Sequence, residues 1–344
     1  MYKPVVAVTS GDAAGIGPEI TLKAILSEEV QALSRMIAVG DPRILRKAAE
    51  ASGVEASIRP VGRVSSADFR PGVVNVIKVD GPDLEGLQPG APQAASGEAS
   101  YRYIEAAVGL ALSNQVDAIA TAPISKEALR MAGHEFPGHT ELLAHLTGAE
   151  RYLMMLVAGS CRVALATIHH ALSEVPRILT TERVENAVTL ADSAGRMFGV
   201  ERPRIGVAGL NPHAGEGGLF GDEEARIIAP AVQALQRLHI DVTGPYPPDT
   251  VFYRAFRKGE FDIVVAMYHD QGCIPFKLVG FETGVNVTIG LPIVRTSVDH
   301  GTAYDLAASK PGSADPRSMI EAVKMASTMA LSRRAWAARG GSWR

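Results

Sequence analysis

The sequence predicts an α/β fold of two α/β lobes with a cleft between them, and three observations carry that expectation. A chain of 344 residues is too long for one ordinary core. Short β-branched runs alternate with amphipathic helical stretches, the pattern of strand–helix–strand crossovers. The strand-like runs are apolar almost throughout, as in a parallel sheet buried on both faces.

In chain order, VVAVTS from Val5, DAIATAP from Asp117, VALATIHH from Val163, RIGVAGLNPH from Arg204 and DIVVAMYHD from Asp262 read as strands. Helix-spaced apolar positions run over Glu98–Ser113, Thr181–Phe198 and Asp222–Leu238. Asp80–Gly97 has no periodicity and reads as a surface loop. A last helix is expected from about Pro316 to Leu331, with a frayed tail over Arg333–Arg344. The expected lobes are residues 1–136 with 290–344, a discontinuous cofactor-side lobe, and 137–289, a central lobe with metal ligands and dimer contacts.

Composition narrows the function. The hydrophobic fraction is 47%, the charged fraction 21% and the net charge -3, so nothing points to a nucleic-acid partner. An anionic substrate must be held by a few local cations. The two cysteines, Cys161 and Cys273, form no CxxC pair, which excludes a zinc ribbon and fits a reducing cytoplasm. The N-terminal apolar run is too short for a signal peptide or a membrane span.

Three strand-like runs end in histidine: His169, His213 and His269. Ligands of open α/β sheets bind beyond the carboxyl ends of strands, and neutral imidazoles are common divalent-metal ligands. Asp270, next to His269, reads as an orienting carboxylate, a metal ligand or a cap. His139 and Thr140 follow a glycine at a helix start, where an anion site and a plain N-cap at Thr140 are equally good readings. Lys277, Asn286 and Arg295 lie in a Gly/Pro-punctuated apolar stretch suited to holding phosphate or carboxylate. GDAAGIGPE from Gly11 matches neither GxGxxG nor the Walker pattern and reads as a tight βα turn.

These pieces in this order resemble the PdxA family, the 4-hydroxythreonine-4-phosphate dehydrogenases of vitamin B6 (pyridoxine) biosynthesis. The motifs are GDAAGIGPE, PGHTELL, ALATIHH, GLNPHAGEGG, AMYHDQG and GVNVTIGLPIVRTSVDHGTA, which together span nearly the whole chain. The resemblance implies an isocitrate/isopropylmalate dehydrogenase-like fold and a cytoplasmic homodimer. It also implies a divalent metal (Zn, Co, Ni, Mn or Mg) on His169 and His213 of one subunit and His269 of its partner. By the same likeness His139, Thr140, Lys277, Asn286 and Arg295 contact substrate. DHGTAYDLAASKPGSADP is similar to the adenosine-embracing loop of those relatives, making His300, Gly301, Thr302, Ala303 and Asp305 candidate NAD contacts. Tyr304 and Ala13 stand where relatives usually carry proline.

GLFGDEE, YPPDTVF and HDQGCIPFKLVGF resemble the branch acting on D-threonate or D-erythronate 4-phosphate. The expected reaction is metal-dependent, NAD-linked oxidation of a 4-phosphorylated 3-hydroxy acid with decarboxylation. Asp270, Asp249 and Lys277 are the candidates for relaying the proton. A non-redox metal-dependent lyase and a non-catalytic sensor are the rival readings.

Overall fold

The computed structural model describes residues 2–339. They divide into two compact units, one running up to Glu150 and again over Leu291–Leu331, the other over Arg151–Gly290 and from Ser332 onward. The division falls later than the expected 136/137 boundary, because helix His139–Thr147 packs on helix Ala94–Leu112 of the first unit.

The first unit holds β1 (Val5–Thr9), β2 (Arg35–Gly40), β3 (Ser57–Val61), β4 (Val73–Lys78) and β5 (Ala118–Thr121). After the excursion through the second unit the chain adds a sixth strand, Arg295–Val298, referred to below by its range. The order is β3-β4-β2-β1-β5 and then Arg295–Val298, all parallel. The chain winds outward from β1 to one side and then returns to place β5 on the other. The carboxyl ends of β1 and β5 thus flank a topological switch point, where open sheets take ligands. Val6, Val8, Ile119 and Ala120 are fully buried, as continuous apolar strands covered on both faces should be.

The second unit holds β6 (Leu153–Ala158), β7 (Cys161–Leu165), β8 (Ile205–Ala208), β9 (Val242–Tyr246), β10 (Ile263–Ala266) and β11 (Val285–Ile289). Their order is β11-β6-β7-β10-β8-β9. The all-parallel expectation needs correction here, since β6 runs antiparallel to both β7 and β11. The cause is a tight Gly159–Ser160 connection, with Gly159 at φ 58, that reverses the chain into a hairpin. β7, β10 and β8 are adjacent and parallel. Leu156, Val163, Leu165, Val264 and Phe276 form their core.

Several element limits move. Helix Ala94–Leu112 starts inside the expected surface loop because Gly97 abuts another backbone: a Cβ there would lie 2.0 Å from the Ala128 carbonyl oxygen. The stretch expected to be helical from Asp222 begins as a π-turn, Glu224–Ile228, before helix Ala229–Arg237. The last helix spans Arg317–Ala338, so the first half of the expected frayed tail continues it, and the residues from Gly340 lie outside the described residues. Both cysteines are free thiols. Among the described residues no helix is long and apolar enough to cross a membrane.

Candidate active-site residues

In the first unit the switch point gathers a buried polar set. Arg295 opens the last strand of its sheet, is 1% exposed, and donates from Nη2 and Nε to Thr121 Oγ1 at 2.7 and 3.2 Å. Burial pulls the guanidinium pKa down while the Glu141 carboxylate opposes the shift, and the group stays cationic at neutral pH. His139 and Thr140 are the first two residues of helix His139–Thr147, whose N-cap is Gly138. Thr140 therefore sits inside the helix, and the reading of it as the N-cap is corrected. His139 Nε2 is buried without a hydrogen-bond partner. Desolvation, then the charge of Arg295, holds the His139 pKa well below the ordinary histidine value, so its ring is neutral. A neutral ring with an unused nitrogen, a buried guanidinium and the open amides of a helix start suit an anionic ligand.

The loop Gly11–Gly17 after β1 is not a phosphate cradle in its own right. Cβ atoms at Gly11, Gly15 and Gly17 would lie 2.4–2.6 Å from the carbonyl oxygens of Pro123, Thr302 and Ser10, so these glycines permit backbone packing. Ile16 N donates to Thr302 O at 3.0 Å, which ties this loop to the segment His300–Ala303. Ala303 adopts a left-handed φ of 44. His300 is exposed with Nδ1 at 2.9 Å from Gly301 O, and Asp305 is exposed in the short helix Tyr304–Ser309. Tyr304, the departure from the usual proline, donates its hydroxyl to Asp12 Oδ2 at 2.7 Å. Asp12 is fully buried, and desolvation raises its carboxyl pKa against bonds from Tyr304, Ala14 N and Ser96.

In the second unit His169 and His213 stand in the segments that follow β7 and β8, and His269 opens the helix that follows β10. His169 and His269 are neighbours, with ring centroids 6.0 Å apart. They border a surface cavity of about 420 Å³ together with Tyr268, Asp270 and Leu172. His213 stands apart from them: its Nδ1 is 3.0 Å from Glu216 Oε2, and its ring meets Phe220 edge-on. Among the described residues no group of three or more His, Cys, Asp or Glu is gathered to hold a metal ion.

The donor chemistry nonetheless fits a metal. His269 Nδ1 lies 2.7 Å from Asp270 Oδ1. A carboxylate only accepts, so in both His213 and His269 Nδ1 carries the proton of that bond, which leaves Nε2 as the nitrogen for a metal. His213 rides on a left-handed turn, with φ between 45 and 80 from His213 through Gly217. Left-handed residues other than glycine cost roughly 1–2 kcal/mol each, so His213, Ala214 and Glu216 are held there by their surroundings.

Lys277 lies in helix His269–Gly280 with Nζ 5.8 Å from the Phe281 ring centre. Asn286 is on β11, and its Oδ1 is buried without a partner. Asp249 is exposed in the first turn of helix Pro248–Phe256. The reading of the sequence did not single out Thr121, Asp12, Thr167, Glu224 or Gln271. Thr121 and Thr167 carried a usable signal, a hydroxyl at the end of a strand-like apolar run.

Comparison with known proteins places these features. A curated 4-hydroxythreonine-4-phosphate dehydrogenase of Desulfosudis oleivorans is 48% identical over 326 residues, covering 94% of this chain and 95% of that protein. A D-threonate 4-phosphate dehydrogenase of Cupriavidus necator is 47% identical over 334 residues, 96% of this chain and 99% of its own. The crystal structure of a 4-hydroxythreonine-4-phosphate dehydrogenase from Klebsiella pneumoniae is 47% identical and superposes with a TM-score of 0.86, covering 95% of this chain and 100% of that one. The fold and these relatives define a dehydrogenase, an oxidoreductase acting on a CH–OH group. The family model for the pyridoxal phosphate biosynthetic protein PdxA matches residues 32–326, and the chain belongs to that family.

Proposed function

We infer that the protein carries out NAD-linked, metal-dependent oxidation of a 4-phosphorylated 3-hydroxy acid, with decarboxylation of the keto acid formed. The observation that carries this reading is the carboxylate contact at Nδ1 of both His213 and His269, which leaves Nε2 as the nitrogen for a metal. His169, His213 and His269 would hold the divalent cation, and His300, Gly301, Thr302, Ala303 and Asp305 would contact NAD. When bound, these groups supply Lewis acidity that lowers the pKa of a substrate hydroxyl and an acceptor for its hydride.

The remaining work falls to the chain. Arg295, charged and desolvated, and the helix start at His139 and Thr140 bind the substrate's anionic groups. Neutral His139 offers hydrogen bonding without charge. Lys277 and Asn286 fix the rest of the substrate, Asn286 through its unused buried oxygen. Asp270 orients His269, which leaves Asp249 and Lys277 as the better candidates for moving the proton.

The working form is a cytoplasmic homodimer with an isocitrate/isopropylmalate dehydrogenase-like fold. Support for the dimer comes from Ile274, Leu278 and Phe281, spaced i, i+4, i+7 and 67%, 86% and 72% exposed, an apolar stripe beside the histidine loops. A shared site drawing His269 from the partner subunit is part of the same proposal.

D-Threonate 4-phosphate is a second substrate reading, favoured by relatives of both names matching almost equally well. A panel of 4-hydroxythreonine, D-threonate and D-erythronate 4-phosphates, assayed with NAD at about 340 nm where NADH absorbs, tests both. One of them turned over with carbon dioxide released is the expected result. Carbon–carbon cleavage without NADH would replace this reading with the lyase.

A further inference from the structure

Helix Tyr304–Ser309 is six residues long and none of them is buried, so the core does not seat it. The residue before it, Ala303, is held left-handed at φ 44 and ψ 56, a conformation that an L side chain adopts only under constraint. The constraint stands on either side of it. Thr302 O accepts from Ile16 N at 3.0 Å. The Tyr304 hydroxyl, from the first helical position, donates to Asp12 Oδ2 at 2.7 Å. Both anchors belong to the loop after β1 and lie deep in the first unit, Asp12 at 0% and Ile16 at 5% exposure.

The far end of the same segment is tied independently. Glu19, in helix Gly17–Leu26, accepts from Gly312 N at 2.9 Å and Ala314 N at 2.7 Å. Lys23 Nζ donates to the carbonyls of the same two residues, each at 2.9 Å. The near end therefore depends on two bonds, one between backbones and one from a single phenol. Proline, the residue of the similar loops, fixes φ at a first helical position through its ring. Tyrosine leaves φ free and reaches a buried carboxyl group instead.

We propose that Tyr304 is a positioning residue for the cofactor: its hydroxyl, with the Thr302 carbonyl, clasps the segment His300–Asp305 to the loop after β1 on both sides of the strained Ala303, so that the segment is ordered for the adenosine half of NAD before NAD binds. This rests on the reading of His300, Gly301, Thr302, Ala303 and Asp305 as NAD contacts given above. A segment already ordered gives up less conformational freedom on binding.

Tyr304→Phe tests the clasp. Phenylalanine keeps the ring, and Asp12 keeps its bonds from Ala14 N at 2.8 Å and Ser96 Oγ at 3.1 Å, one on each carboxyl oxygen, so the fold is kept. NAD and ADP-ribose would each be titrated into parent and variant by calorimetry, with circular dichroism and amide hydrogen exchange recorded beside it. The Leu306 and Ala307 amides, which donate to Ala303 O at 3.1 and 3.0 Å, should exchange faster in the unliganded variant. NAD and ADP-ribose should both bind roughly 2–10-fold more weakly, the worth of one hydrogen bond. Turnover at saturating NAD should stay as in the parent, a split that a general loss of structure would not give. His300→Ala, run in parallel, tests the underlying reading. If it leaves NAD affinity unchanged, the assignment of the segment to the cofactor fails. If it weakens NAD while Tyr304→Phe binds as the parent does, the clasp is refuted and the assignment stands. Weaker NAD with unaltered ADP-ribose would also refute the clasp, because the loss would then lie at the nicotinamide end.

Discussion

Replacing Thr121 by valine removes the hydroxyl that receives two bonds from Arg295 without changing side-chain volume, so the result isolates a hydrogen bond from a cavity. The acceptor lies 2.7 Å from Nη2 and 3.2 Å from Nε of a guanidinium that is 1% exposed. Water does not reach such a group to replace the lost partner. A hydrogen bond to a charged group is worth about 1.5–3 kcal/mol. The unliganded protein should lose about that much stability, read as a lower urea midpoint at unchanged slope. On the proposal that Arg295 binds the substrate anion, a guanidinium no longer held along the strand meets it less well. At about 1.4 kcal/mol per decade, KM for the phosphorylated substrate should rise by up to roughly 10–100-fold, with KM for NAD unchanged. A lower midpoint with unaltered substrate KM would mean that Thr121 and Arg295 are structural only. An unaltered midpoint would refute the burial argument itself.

Three further outcomes are expected. Neutral His139 has a depressed pKa, so it adds no proton on folding where the unfolded chain does; its contribution to stability is complete above about pH 6.5 and is lost as the pH falls below that. Against His139→Gln, the parent should therefore show the steeper acid loss, by at most about 1.4 kcal/mol per pH unit, and superimposable curves would contradict it. Gly97→Ala forces a methyl onto the Ala128 carbonyl at 2.0 Å and should cost about 1–3 kcal/mol, measurable by thermal unfolding; a neutral result would mean the two helices part easily. Leu278→Glu, at a position 86% exposed, should shift the sedimenting species from dimer to monomer, and a monomeric parent would remove the basis for the dimer.

What the sequence made legible was what local pattern determines. Continuous apolar runs marked five of the strands, and their histidine endings marked three loops that the sheet places side by side. The short strands β2, β3, β4, β6 and β9 were not picked out from pattern. In Ser57–Val61, for example, Arg59 and Pro60 interrupt the apolar signal at the sheet edge. The reversal of β6 depends on one glycine at positive φ, which no periodicity reports. Thr121 and Tyr304 act through partners 174 and 292 residues away, and contacts at such separation leave no local trace. Glycines read as loop material at Gly97 were instead close contacts between helices. The metal trio is a harder case. The three histidines were picked from strand position, and within one chain the rings of His169 and His269 lie 6.0 Å apart while His213 rides on its own left-handed turn; an assignment across two subunits rests on contacts that no single chain contains.

The central claim is that His169, His213 and His269 serve one divalent cation needed for hydride transfer, and metal dependence tests it most directly. The chelator-treated protein should form no NADH from the phosphorylated substrate and recover activity on adding a divalent cation. His169→Ala, His213→Ala and His269→Ala should each abolish that recovery while keeping the parent's circular dichroism. Full turnover by the chelated protein, or recovery by His213→Ala equal to the parent's, would contradict the account.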